Sequence, residues 1–144
     1  METFTPPDPA TAGNLADKLQ GDAYTYASDS PLWKETREEW WACLRKNGLE
    51  PRTSDGAWLS EQAEALLTRQ ESAEPSSVDK AEEIRIAVAE AQCNQDVRMT
   101  QRLGDLEASY QAPLIEANKA ALNEEKTRKQ DYLATARTYL ASSQ

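Results

Sequence analysis

Apolar residues recur at helical spacing over most of this chain, and the longest such run begins at Asp79. Ile84, Ala87, Val88 and Ala91 step by three and four, and the run continues through the Cys93 region to Leu103, Leu106 and Tyr110. That spacing places them on one stripe of an α-helix, the stripe expected to be buried. Ser76, with Asp79 three residues on, is a variant of the capping box that opens such a helix. The helical pattern then persists almost to the C-terminus. Unbroken, about 60 residues rising 1.5 Å each would span ~90 Å, so a break is expected. Thr100 as the cap of a new helix, Gly104 and Pro113 are the predicted weak points. Leu103, Leu106, Tyr110, Leu114, Ala117, Ala121 and Leu122 form a seam close to a heptad, and such a seam needs cover. Either the chain folds back on itself or another molecule supplies it. Apolar residues thin out before Tyr132, Leu133, Tyr139 and Leu140. That end is expected to project or to pack on a partner.

The earlier part of the chain carries sharper signals. Ser30 suits an N-cap and Pro31 the first helical position. Trp33, Trp40, Cys43 and Leu44 then share a face. Gly48 ends this helix, and Leu49 is placed to make the accompanying apolar contact. Pro51 to Gly56 is a turn. Ser60 caps a shorter helix with Ala63, Leu66 and Leu67, and residues 72–77 read as a linker. Residues 1–27 read as a flexible arm with at most a short helix. Pro6, Pro7, Pro9 and Gly13 have little to bury. Asn14 caps one or two turns through Leu15 and Leu19, ending at Gly21, and Tyr24 and Tyr26 fall in a loop. No strand pattern and no internal repeat is present. The predicted fold is all-α: a small helical bundle over residues 28–144, with a long, protruding C-terminal helix or helical hairpin.

Composition narrows the function. The 144 residues are 39% hydrophobic, so the core must be thin. The net charge of −9 argues against nucleic acid and against anionic membrane surfaces, both of which select Lys and Arg. The acidity serves solubility, or it forms a surface that docks a basic protein. No stretch approaches the ~20 apolar residues of a transmembrane helix, so no direct membrane insertion is expected. Met1 to Pro7 lacks the basic start and apolar run of a signal peptide. The chain is therefore expected to be either cytoplasmic or the mature part of a secreted protein.

Candidate chemistry is sparse. There is no histidine, which removes the commonest general base and every Ser-His or Cys-His arrangement. Two cysteines without histidine make no zinc site. Five glycines supply no phosphate-binding loop. Asp96 with Asp105, or Glu82 with Glu83, are the imaginable carboxylate pairs, but acidic residues on helices are usually a solvated face. Asn94, Gln95 and Asp96 lack the oxygen density of a calcium loop. No cofactor, metal or catalytic residue is expected. Among the four tryptophans, Trp33 and Trp40 suit the core, with Trp41 on the shoulder of the stripe against Trp58. Alternatively Trp41 or Trp58 lines a groove for a partner or a glycan. Trp41, Trp58, Leu106 and Tyr110 are the candidate partner surface, and self-association is a second use for the C-terminal seam.

Cys43 and Cys93 each lie on a predicted helix beside apolar neighbours. They are two buried free thiols, a disulfide joining the helices, or a reactive pair. The disulfide is the favoured expectation. It would close a loop of about 50 residues and contribute ~4 kcal/mol on the chain-entropy model.

Two segments carry a resemblance. Trp40-Trp41-Ala42-Cys43-Leu44 with Gly48, and Ile86 to Cys93 with Tyr110, Ile115 and Asn118 downstream, resemble a family of actinobacterial secreted proteins and lipoproteins. These have a tryptophan-cysteine-glycine helix, a second cysteine on an alanine-rich helix, and a long charged helix. The resemblance covers roughly residues 33 to 122. It implies an envelope location and a disulfide, and no activity, since none is defined for the family. A lipobox cysteine is missing here, so any lipid anchor is expected upstream, with the Pro-rich arm as its tether. The expected function is thus a non-enzymatic, extracytoplasmic helical binding protein. The alternative is an intracellular adaptor or inhibitor of antitoxin or anti-sigma type, with reduced thiols and a basic protein target.

Overall fold

The computed structural model describes residues 14–54, 56–72 and 77–142, without the side chains of 70–78. The proline-rich segment 1–13, Ser76 and most of the expected linker lie outside the described residues. Six helices follow in order: α1 Leu15–Asp29, α2 Pro31–Lys46, α3 Glu61–Ser72, α4 Ser77–Asp96, α5 Met99–Ala117 and α6 Lys119–Ser142. Among the described residues there is no strand, only an antiparallel bridge between Pro51 and Ser60. The all-α class and the Cys43–Cys93 disulfide are as expected. The chain divides after Ala27 and again after Leu106. One compact unit is Ser28–Leu106, and the other combines Met1–Ala27 with Glu107–Gln144.

In the unit Ser28–Leu106, α2 begins and ends as its sequence demands. Ser30 Oγ accepts the Trp33 N–H at 3.3 Å, and Pro31 opens the helix. At the other end Gly48 takes a φ of 72°, which is free of Cβ strain only for glycine. There the Gly48 N–H donates to the Arg45 carbonyl at 3.1 Å and the Leu49 N–H to the Leu44 carbonyl at 2.9 Å. This is a Schellman motif, and its apolar contact places Leu49 and Leu44 in one core. The chain then doubles back. Glu61 N–H donates to the Glu50 carbonyl at 2.8 Å, and Ser60 Oγ caps α3 by accepting the Ala63 N–H at 3.2 Å. α4 packs on both α2 and α3. The shared core is Trp40, Leu44, Leu49, Leu66, Ile86 and Cys93, flanked by the half-buried Val97 and Met99.

The first helix break falls within a few residues of the expected cap at Thr100, and the second falls elsewhere than predicted. α4 ends at Asp96, and Arg98 turns with a φ of 53°. A continuous helix would carry Met99 about 200° around from Val97, whereas the turn lets both reach the core. Asn94 Oδ1 accepts the Thr100 N–H at 2.9 Å and so caps α5 from the preceding helix. Gly104 and Pro113 lie inside α5 and do not end it. Gly104 costs about 1 kcal/mol against alanine, and Pro113 removes one backbone hydrogen bond at an exposed position. The later break comes at Asn118, whose side-chain amide donates to the Leu114 carbonyl at 2.8 Å.

In the other unit the expectation for residues 14–27 is corrected. They are not an arm with a loop after Gly21: α1 runs straight through Gly21, where a glycine cost of about 1 kcal/mol is outweighed by packing. Leu19, Ala23 and Ala27 are its buried positions, every fourth residue. α1 is the element that lies along the C-terminal seam. Tyr26 packs on Tyr110 with ring centroids 6.0 Å apart. Leu19 shares an apolar groove of about 320 Å³ with Ala16, Ile115 and Leu122. Its start is held by α6, where Glu125 accepts the Leu15 N–H at 2.7 Å and pairs with Lys129 at 2.5 Å. Lys129 also donates to Asn14 Oδ1 at 3.1 Å. The Lys129 hydrogen bond, with the Leu15 amide beside it, holds the Glu125 carboxyl below the ordinary range, against its burial. Beyond Glu125 every described residue of α6 is exposed except Ala136.

Two outcomes follow from these contacts. Gly48→Ala meets open space at its new Cβ, so only the left-handed backbone penalises it, and a loss of about 1–2 kcal/mol in urea denaturation is expected. Glu125, with its pKa lowered on folding, contributes stability that is complete above the unfolded carboxylate range. That contribution disappears as pH falls through the folded value. Glu125→Gln should flatten this acid-side dependence and accelerate amide hydrogen exchange at the start of α1; unchanged exchange there would show that the clamp contributes nothing.

Candidate functional site

The disulfide organises the unit that holds the tryptophans. Cys43 on α2 and Cys93 on α4 are bonded, with Cα atoms 5.6 Å apart. Cys93 is fully buried within the core cluster, while Cys43 is half-buried. Asn47, the C-cap of α2, lays its side-chain amide over the bridge, 3.4 Å from Cys93 Sγ and 3.0 Å from the Cys43 carbonyl. α4 is held a second time by Glu90, whose carboxylate accepts the Ser60 N–H at 2.7 Å. An ion pair between Arg102 and Glu39, at 2.5 Å, joins α5 to α2 within the same unit. Its hydrogen bond raises the Arg102 pKa and lowers that of Glu39.

The structure sorts the predicted partner residues into different settings. Trp58 packs against Trp33 and Trp40, each with centroids 5.8 Å apart, rather than forming a shoulder with Trp41. It keeps 36% exposure, so one aromatic edge stays wet. Trp41 is half-buried beneath the Arg37 guanidinium, 4.9 Å from its ring centroid, a cation–π contact. Arg37 Nε and the indole N–H groups of Trp40 and Trp41 are buried there without hydrogen-bond acceptors. Leu106 and Tyr110 are both half-buried, in different units.

The face that sequence periodicity missed lies on α4. Ile84, Ala87, Val88 and Ala91 form the stripe expected to be buried, and all four are exposed. α4 turns the other side inward, through Ile86, Ala89 and Cys93. The helix is apolar on two sides, so its period alone does not choose between them. The disulfide chooses: Cys93 lies about 180° around the helix from Ile84. Beside this face, α3 and α4 enclose a groove of about 210 Å³. Leu59, Ala63, Leu66 and Leu67 line one wall, and Ile86 and Ala87 the other. Glu83 and Glu90 are the charged residues lining it. The signal available in sequence was the excess of apolar positions on α4, more than one buried stripe requires.

The imagined carboxylate pairs are engaged locally. Glu82 pairs with Arg85 at 2.7 Å, while Asp96 accepts from Gln92 and Asp105 from Gln101. Among the described residues no helix is long and apolar enough to cross a membrane. No family model, no curated protein and no solved structure matches this chain.

Replacing both cysteines by serine releases the loop they close. A loss of about 4 kcal/mol is expected from loop entropy, read as a lowered denaturant midpoint. A loss under about 1 kcal/mol would mean that packing of α2 on α4 carries the unit without the bond.

Proposed function

We propose that this chain is a non-enzymatic, extracytoplasmic helical binding protein of a bacterial cell envelope, of the actinobacterial secreted and lipoprotein kind that its cysteine segments resemble. The observation that carries the reading is the disulfide inside the core cluster, because such bonds persist in oxidising compartments. A small bundle with one crosslink suits a rigid support for an interaction surface. Leu67, Ile84 and Val88 stand exposed on α3 and α4, and exposed apolar residues gathered in one place are what interaction sites show. The acidic balance of the chain favours a basic protein over nucleic acid or anionic lipid.

The test is made in the native host. Thiol titration of the freshly isolated, unfolded and unreduced protein should find no free thiol, and fractionation should place it outside the cytoplasm. Photo-cross-linkers at Trp58 and Val88 should capture a protein. Two free thiols in a cytoplasmic fraction would replace this reading with an intracellular adaptor or inhibitor of antitoxin or anti-sigma type. Exclusive capture of a second copy would make the chain a self-associating structural protein.

A further inference from the structure

We infer that the α3–α4 groove and the adjoining outer face of α4 form one docking surface for a cationic amphipathic helix; the inference rests on the interaction reading above and names its surface and partner. Three large aliphatic side chains stand out from this part of the unit: Leu67 at 52%, Ile84 at 56% and Val88 at 62% exposure. Ala87 joins the two features. It lines the groove with Leu67, and it lies three residues after Ile84 on the same apolar stripe, whose far edge is Val88. A helix presenting apolar anchors at three- and four-residue spacing can set one anchor into the groove and run the others along that stripe.

Charge selects the occupant. Among the described residues the groove is lined by two carboxylates, Glu83 and Glu90, and by no cationic side chain. Glu90 is fixed in place by the Ser60 N–H, so its charge is presented without an ordering cost. A second copy pairing symmetrically through this same face would set Glu83 and Glu90 against their own counterparts, and like charges at the rim oppose that pairing. A partner with Lys or Arg flanking its apolar stripe is complementary. Long cationic side chains can also lay their stems along Ala87 and Val88 while their charged heads meet the carboxylates.

The probe is a fluorescein-labelled helix of about 18 residues, roughly the length of α4, with leucine on one face and lysine on the other. Anisotropy at near-physiological salt should give saturable binding, and nuclear magnetic resonance shift changes should cluster on α3 and α4. Ala87→Glu and Leu67→Glu alter exposed positions, so both should fold, as checked by circular dichroism. Each should weaken binding about tenfold or more, the scale of one lost anchor. Both substitutions add negative charge, so attraction by charge alone would instead strengthen. A peptide with glutamate for lysine, and one with serine for leucine, should each bind at least about tenfold more weakly. Equal binding to the Ala87→Glu protein, shift changes centred on Trp58, or no binding by the leucine–lysine peptide would overturn the proposal. If the partner cross-linked in the host survives Ala87→Glu, the interaction reading stands and the groove falls. Should the peptide bind the groove while nothing is captured in the host, the groove stands and the reading of function falls.

Discussion

The bond between Cys43 and Cys93 is the constraint on which the larger unit depends. Its core is one cluster built around two tryptophan-helix residues, Trp40 and Leu44, the turn residue Leu49, and one or two residues from each of α3 and α4. Each fully buried aliphatic or aromatic side chain contributes on the order of 1.5–3 kcal/mol, set against the entropy of ordering three helices and a long turn. A cluster of that size holds helices together weakly. The crosslink removes most of the separated states from competition, and it does so from inside the cluster, since Cys93 is itself a core residue. The Schellman turn after α2 serves the same end. It sends Leu49 back onto Leu44 and aims the chain toward α3, so the third helix arrives against α4 already bonded to α2.

The unit built from α1, the end of α5 and α6 is held by different physics. It has fewer buried apolar residues, and a buried glutamate takes a structural part. Glu125 meets the first free amide of α1 and the Lys129 ammonium together. Its burial is tolerated because one oxygen accepts the Leu15 N–H and the other lies 2.5 Å from the Lys129 ammonium. The positive end of the helix dipole favours the same charge. Beyond Lys129 only Ala136 is half-buried among the described residues of α6, and Leu133 and Leu140 stand exposed.

α4 is where the core of the unit and the proposed docking surface meet. It has two apolar sides, and the molecule uses one for its core. That division explains why a chain of modest hydrophobic content still shows large aliphatic residues to solvent. The outer side is not needed for folding once the disulfide and the Glu90–Ser60 contact hold the inner side down. In the proposal it serves recognition, next to a groove lined by Glu83 and Glu90.

Much of the local structure was legible in sequence because its causes are local. Ser30 and Pro31 start α2, Gly48 stops it, and Ser60 starts α3, each through hydrogen bonds and dihedral limits confined to a few residues. The all-α class and the pairing expected of Cys43 with Cys93 were legible too. Three features were not. α1 carries a glycine at its centre and a mixed surface, and its helical state is decided by Tyr110, Ile115, Leu122 and Glu125, about 90 to 110 residues away in the chain. The later break falls at Asn118, whose side-chain amide donates to the Leu114 carbonyl, whereas the breakers Gly104 and Pro113 cost too little to act alone. Which face of α4 is buried was misread for the same reason. Periodicity finds stripes, but only the position of Cys43 in space decides which stripe turns inward.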